Sequence, residues 1–231
     1  MRFIKDKERV IVYVNSREDA RILASELGCE SFYSDLGSIE EKEQVTARWR
    51  DGVHRVIVAT SAFGAGVDYA YVRVVVHLDM PRDAINFSQE VGRAGRDGYG
   101  GHSLVLLPSR YTPVSDETWE RQRFSIPVSE RVMQRYVGEN RCLWATLSRF
   151  VDGPDQMQYC VADLECSVCL DRGFFRVGQE VDDTRYWDGL PSTRETEDEE
   201  DDREEESEEE SEGESEAEEV VARRGALEAG S

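Results

Sequence analysis

A chain of 231 residues can build one good core with appendages, and its formal charge of −21 sits mostly at one end: residues 195–219 hold 18 of the 49 acids. Residues 1–190 set 24 Lys and Arg against 30 Asp and Glu, so the body is not broadly basic and any nucleic-acid contact must rest on local patches. No apolar run approaches the roughly 20 residues of a membrane span, and Met1–Arg9 is too polar for a signal peptide; the expectation is a soluble, intracellular chain with no membrane partner and reduced cysteines.

Val10–Val14 reads as the first strand. Ser16-Arg17-Glu18-Asp19 has the form of a capping box, and Ala20, Leu23, Ala24 and Leu27 keep helical spacing up to Gly28. Phe32–Tyr33 marks the end of a second strand. Ser38-Ile39-Glu40-Glu41 repeats the capping signal and opens a helix through Arg50, with Val45 and Trp49 facing inward. Val56–Ala59 and Val72–Val76 are β-branched runs, too short for helices and apolar enough for strands buried on both faces. Between them, Phe63-Gly64-Ala65-Gly66 makes a loop whose backbone can approach a ligand closely. Pro81 and Asp83 then mark a helix start. Gln89, Arg93 and Arg96 share one face of that helix if it continues past Gly92 and Gly95. Ser103–Leu107 is a last apolar strand before Pro108. Strands alternating with helices give an α/β fold, a parallel sheet with helices on both faces. This lobe occupies residues 1–110, and residues 111–130, broken by Pro113 and Pro127, read as a connector.

Two arginines and a glutamine after a parallel strand suit a polyanion, because guanidinium forks match phosphate oxygens. On the two arginines alone, a solvated helix end with incidental charge is the favoured reading. The second cluster lies in residues 131–175. Cys142, Cys160, Cys166 and Cys169 are spaced C-x17-C-x5-C-x2-C, and only the last pair has zinc-knuckle spacing. Four thiols within 28 residues of a reduced protein favour tetrahedral zinc over free buried cysteines. Cys29 stands apart at a helix end, as a small packing residue. Arg121, Arg123, Arg131, Arg135, Arg141 and Arg149 are interrupted only by Glu130 and Glu139. They make either a phosphate-binding face or ordinary solvated charge. Residues 176–231 are a linker and an acidic tail. From Thr193 onward the composition is almost all Glu, Asp and Ser and cannot fold alone, so the tail is expected to be disordered. Ser207, Ser211 and Ser215 each stand in an S-x-x-E pattern that resembles an acidophilic kinase target. The tail is either a solubiliser or an electrostatic competitor for DNA and a hook for basic proteins such as histones.

The run A-T-S-A-F-G-A-G-V-D at residues 59–68, followed by Q-E-V-G-R-A-G-R-D-G at residues 89–98, resembles motifs V and VI of the RecQ-like DNA helicases. V-Y-V-N-S-R stands at motif IV, and the order of elements resembles the second RecA-like lobe of a helicase motor. R-Y…R-C…F-V-D-G…C…C-x-x-C is similar to the small helical zinc-binding subdomain that follows the motor in that family, with the four cysteines as ligands. The resemblance implies that Arg96 is an arginine finger for ATP on a partner lobe, with Arg93 and Gln89 beside it. It implies that Gly66, Asp68, Arg93 and Arg96 face the nucleotide, and that Asp68 links nucleotide to bound DNA. Two departures stand out: Ala65 replaces the usual methionine, and Tyr33-Ser34-Asp35-Leu36-Gly37 replaces Tyr-His-Ala-Gly-Leu. The 231 residues hold no G-x-x-x-x-G-K-[ST] loop and no D-E-x-H-type motif. ATP with magnesium is therefore expected only together with a first RecA-like lobe, in cis or in trans. The implied function is the C-terminal motor portion of a nuclear, ATP-dependent 3′–5′ helicase acting on single-stranded or forked DNA. The other reading is a non-catalytic remnant that binds DNA or protein.

Overall fold

Five parallel strands form where the apolar runs place them, within a residue or two of the expected bounds. They are β1 (Arg9–Tyr13), β2 (Glu30–Phe32), β3 (Val56–Ala59), β4 (Val72–Leu78) and β5 (His102–Leu106), in the order β2-β3-β1-β4-β5. The computed structural model describes residues 6–64, 68–122, 124–138, 141–161 and 166–172. Register sets the faces, because successive side chains alternate across a strand. Ile11 stands opposite Ile57 on one side and Val75 on the other. These three join Tyr13, Ala59, Val45, Trp49 and Phe63 in one core layer. Val10, Val12, Val14 and Val58 point to the opposite face and meet Ala20 and Ala24.

Helices α1 (Arg17–Leu27) and α2 (Ile39–Asp51) therefore cover opposite faces, as the sequence predicts. Their ends follow the capping signals unequally. At α2 the box is reciprocal: the Glu41 N–H donates to Ser38 Oγ at 3.3 Å, and the Ser38 N–H donates to Glu41 Oε2 at 2.9 Å. At α1 the Asp19 N–H donates to Ser16 Oγ, but the Asp19 carboxylate takes the Ser16 hydroxyl instead of reaching the backbone. The aspartate is one methylene too short for the full box. Arg9 adds a feature the periodicity does not reveal. Its guanidinium is buried and donates to the Trp49 and Arg50 carbonyls at 2.6 and 2.8 Å, closing the C-terminus of α2 with a positive charge.

Beyond the sheet, α3 (Ala84–Val91) packs Ala84 and Phe87 against Trp119, Val132, Met133, Leu147 and Phe150. Those residues come from α4 (Asp116–Arg121), α5 (Val128–Gly138) and α6 (Leu143–Asp152). One apolar cluster thus spans the lobe and the helices α4–α6, the last of which is preceded by Cys142. The stretch expected as a plain connector contains α4, anchored by the buried Trp119. α7 (Ser167–Arg172) is the last described element. Among the described residues no helix is long and apolar enough to cross a membrane.

Trp49 is the largest fully buried side chain, and its indole N–H donates to the Val10 carbonyl at 3.2 Å. Trp49→Ala is expected to cost about 3–5 kcal/mol, as large-to-small changes of buried aromatics do. A urea unfolding midpoint checks it, with the exposed Leu27→Ala expected within about 0.5 kcal/mol of the parent.

Candidate nucleotide-facing and metal sites

Asp83 starts α3 by accepting the Asn86 N–H at 2.8 Å. Phe87 and Glu90 face inward and Gln89 lies exposed on the last turn. The helix does not reach Arg96. It ends at Val91, and the following bonds tighten: the Arg93 and Ala94 N–H groups donate to Glu90 and Val91, three residues back. Gly95 then adopts a left-handed φ of +73°, where an added Cβ would stand 2.7 Å from the Tyr99 carbonyl oxygen. Gln89, Arg93 and Arg96 accordingly do not share a helical face. The glycines turn the two arginines to opposite environments.

Arg93 points inward. It is 8% exposed and donates to the carbonyl of Gly64, the last residue of a short 3-10 turn (Ser61–Gly64). Arg96 points outward. Its Nε donates to Gly92 O at 3.1 Å, and its Nη1 lies 3.1 Å from Asp68 Oδ1. Asp68 is 90% exposed, so this ion pair is open to water and weakly held. An arginine so placed can exchange a carboxylate for another anion. The structure therefore brings two expected nucleotide-facing residues together, Arg96 and Asp68. Arg93 serves as a strut between the 3-10 turn and the segment after α3. Gly66 lies outside the described residues.

A buried polar pair near this strut has no counterpart in the sequence reading. His77 Nε2 lies 2.8 Å from Glu90 Oε2, with both side chains at most 10% exposed. The Tyr13 ring stacks on His77 at 5.2 Å between centroids, and burial raises the Tyr13 hydroxyl well above its ordinary pKa. A histidine inside the apolar run V-V-V-H-L was the available signal. The pair forms part of the lining of a cavity of about 560 Å³ at the carboxyl ends of β1, β3 and β4, beside Asn15, Thr60, Ser61 and Asn86. Open parallel sheets bind ligands at that edge. Around it, Arg82 donates to Asn15 O at 2.7 Å, and Arg17 pairs with Asp35 within the stretch that departs from the family pattern.

The four cysteines converge. Their Sγ atoms all lie within 4.8 Å of one another, a donor set that can hold one metal ion. Cys142 is the N-cap residue of α6, while Cys166 and Cys169 flank the start of α7. Burial pushes the Cys160 thiol up to about 12 and raises Cys169 further. Burial also opposes ionisation of Cys166, but backbone N–H groups outweigh it, the Leu143 N–H standing 3.4 Å from Cys166 Sγ, and its pKa falls below the usual thiol value. Cys29 is separate and half-buried beside the α1 core.

The arginine run does not line one open face. Arg131 is 2% exposed, and its guanidinium lies 3.8 Å from the Trp119 ring centroid, with that of Arg135 at 4.1 Å. Arg121 is exposed and donates to Thr118 Oγ1. Arg123 falls outside the described residues. At least two members thus serve packing around one tryptophan.

Residues 1–98 match the helicase conserved C-terminal domain. Together with the five-stranded parallel sheet, that match assigns residues 1–98 to the C-terminal, RecA-like lobe of a helicase. Its relatives narrow the class. The chain is 30% identical over 171 residues to the ATP-dependent DNA helicase RecQ of Pasteurella multocida, covering 70% of this chain and 26% of that protein. It is 34% identical over 128 residues to RecQ of Bacillus subtilis (53% and 20%), and 34% over 119 residues to human ATP-dependent DNA helicase Q4 (43% and 10%). An alignment of 171 residues cannot fit inside residues 1–98, so the likeness extends beyond the lobe. What the chain carries is a helicase C-terminal lobe similar to that of the RecQ-like helicases. The chain spans about a quarter or less of the length of these relatives.

Proposed function

We propose that this chain supplies the second motor lobe of an ATP-dependent 3′–5′ DNA helicase, with Arg96 as the arginine finger. The observation that carries this reading is the meeting of Arg96 and Asp68 at a solvent-open point. A first RecA-like lobe, in cis or in trans, contributes the phosphate cradle and magnesium that these residues lack. Arg96 then leaves the Asp68 carboxylate for the negative charge that develops on the transferred phosphoryl group. Arg93 keeps the Ser61–Gly64 turn registered against the segment after α3, and Gln89 borders the same segment. Asp68, freed of its arginine, reports nucleotide state to the adjoining loop. Single-stranded or forked DNA runs along the carboxyl edge of the sheet past the cavity. Zinc held by Cys142, Cys160, Cys166 and Cys169 would supply folding energy to the α5–α7 region and no chemistry.

The test is hydrolysis by the chain fused behind a RecQ-type first lobe. DNA-stimulated ATPase absent from either part alone supports the motor. A second reading rests on the missing phosphate-binding loop: the chain binds DNA or protein without catalysis. A silent fusion whose unfused chain still binds single-stranded DNA would favour it.

The acidic tail has its own expected result. Removing residues 193–231 should strengthen binding of single-stranded DNA at low salt, with the gain shrinking as salt rises past about 0.15 M. Fluorescence anisotropy at two salt concentrations checks it. Equal affinity of the full and shortened chains at low salt leaves the tail only a solubilising role.

A further inference from the structure

Arg73 is the second residue of β4, and its side chain is only 13% exposed. Its guanidinium reaches two distant segments. Nε stands 3.2 Å from Glu8 Oε1, ahead of β1, and Nη2 stands 2.7 Å from Asp97 Oδ2. Nη1 donates to the carbonyls of Tyr99 at 3.0 Å and Gly100 at 2.7 Å. Asp97 in turn accepts the Tyr99 N–H at 3.2 Å. Only a planar fork can serve a carboxylate and two carbonyls of one turn together. One residue earlier on the strand, the Val72 carbonyl accepts the Gly95 N–H at 3.0 Å. Arg96 therefore sits between two residues, Gly95 and Asp97, that are tied to consecutive positions of β4.

We propose that Arg73, through its clasp on Asp97 and the Tyr99–Gly100 carbonyls, is the positioning residue that sets where Arg96 stands. The inference rests on the reading of Arg96 as the finger. Arg73 does not touch the reacting atoms. It fixes the backbone from which Arg96 extends, so its loss lets the turn swing and scatters the finger over many positions. A finger displaced by about 1 Å can lose on the order of 10²-fold in rate while binding is largely kept. Arg73 also holds the Asp97 carboxyl below the ordinary carboxylate range. The folded-state value is the lower one, so the clasp is intact above about pH 4 and is lost only as pH falls below it.

Amide hydrogen exchange on the full 231-residue chain tests the clasp without any nucleotide. In Arg73→Gln and Asp97→Asn, residues 95–100 should exchange roughly ten- to a hundredfold faster, while β1 and β3 keep the parent rates. Parent-like exchange of residues 95–100 in both variants overturns the clasp. In the fusion with a first lobe, Arg73→Gln should lower kcat roughly ten- to a hundredfold with KM for ATP nearly unchanged, and Arg73→Lys should restore little. The double variant should be no slower than Arg73→Gln alone, because the loss of Arg73 already breaks its bond to Asp97. If Arg96→Ala abolishes hydrolysis while Arg73→Gln and Asp97→Asn keep full kcat, positioning by Arg73 is overturned. If Arg96→Ala is itself fully active, the finger reading fails, and the exchange data still decide the clasp. Should Arg73→Gln fail to fold, Asp97→Asn alone carries both measurements.

Discussion

Arg96→Ala, in a fusion carrying a RecQ-type first lobe ahead of Met1, should lose roughly 10³–10⁵-fold in DNA-stimulated ATPase rate, the usual worth of an arginine finger. The size follows from placement. Arg96 is 41% exposed at its side chain and bound to one carboxylate that is itself almost wholly in water. It can leave Asp68 at small cost, because an exposed pair contributes about 0–1 kcal/mol. Arg96→Lys should recover little of the loss, since an ammonium cannot reproduce the planar fork. Arg93→Ala should also slow hydrolysis by a different route. Its guanidinium is buried against the Gly64 carbonyl, so the variant should lower the melting temperature, which Arg96→Ala should not. Arg110→Ala, outside the motif, should change hydrolysis only slightly. Steady-state kinetics with thermal melts separates these outcomes. Hydrolysis by the unfused chain would refute the need for a first lobe, and a fully active Arg96→Ala fusion would refute the finger.

The contrast between Arg93 and Arg96 shows where a linear reading stops. The strands, both early helices, the α2 capping box and the inward Val45 and Trp49 follow from short-range signals, and the structure repeats them. The direction of each arginine does not. It depends on a helix that ends at Val91 and on a left-handed Gly95, whose need is set by the Tyr99 carbonyl packed against it. Contacts across the sheet are equally invisible to periodicity: His77 meets Glu90 across 13 residues, and Arg73 meets Asp97 across 24. Both pairs involve β4, which lies between β1 and β5: α3 supplies Glu90, and the segment after it supplies Asp97. Arg131 misleads for the same reason. Its charge suggests a phosphate-facing surface, and only the packing of α5 on α4 reveals that it covers Trp119. The convergence of the four cysteines was legible from spacing and composition, because two of them are three residues apart and a reduced chain has few other uses for such a set.

Purified protein should carry about one zinc per chain, and Cys166→Ser should lose it. Four sulfurs within 4.8 Å of one another are close to what bonds of about 2.3 Å in a tetrahedron require. Burial keeps the Cys160 and Cys169 thiols protonated at neutral pH when no metal is present, so binding must release protons. Affinity should accordingly fall as pH falls, the sign expected when protons and metal compete for one set of sulfurs. Structural zinc sites contribute on the order of 10–16 kcal/mol at pH 7, as much as the whole stability of a typical domain. Loss of the ion should therefore unfold the segment it ties together, not merely loosen it. Limited proteolysis of Cys166→Ser should cut within residues 131–171, and the damage should reach α3 through the cluster that joins Phe87 to Val132 and Phe150. Cys29→Ser, outside the cluster, should keep its zinc and its resistance. Metal analysis of both variants, with proteolysis before and after chelation, decides the matter. A metal-free chain that stays folded and protease-resistant across residues 131–171 would overturn the assignment and leave four converging thiols to be explained by packing alone.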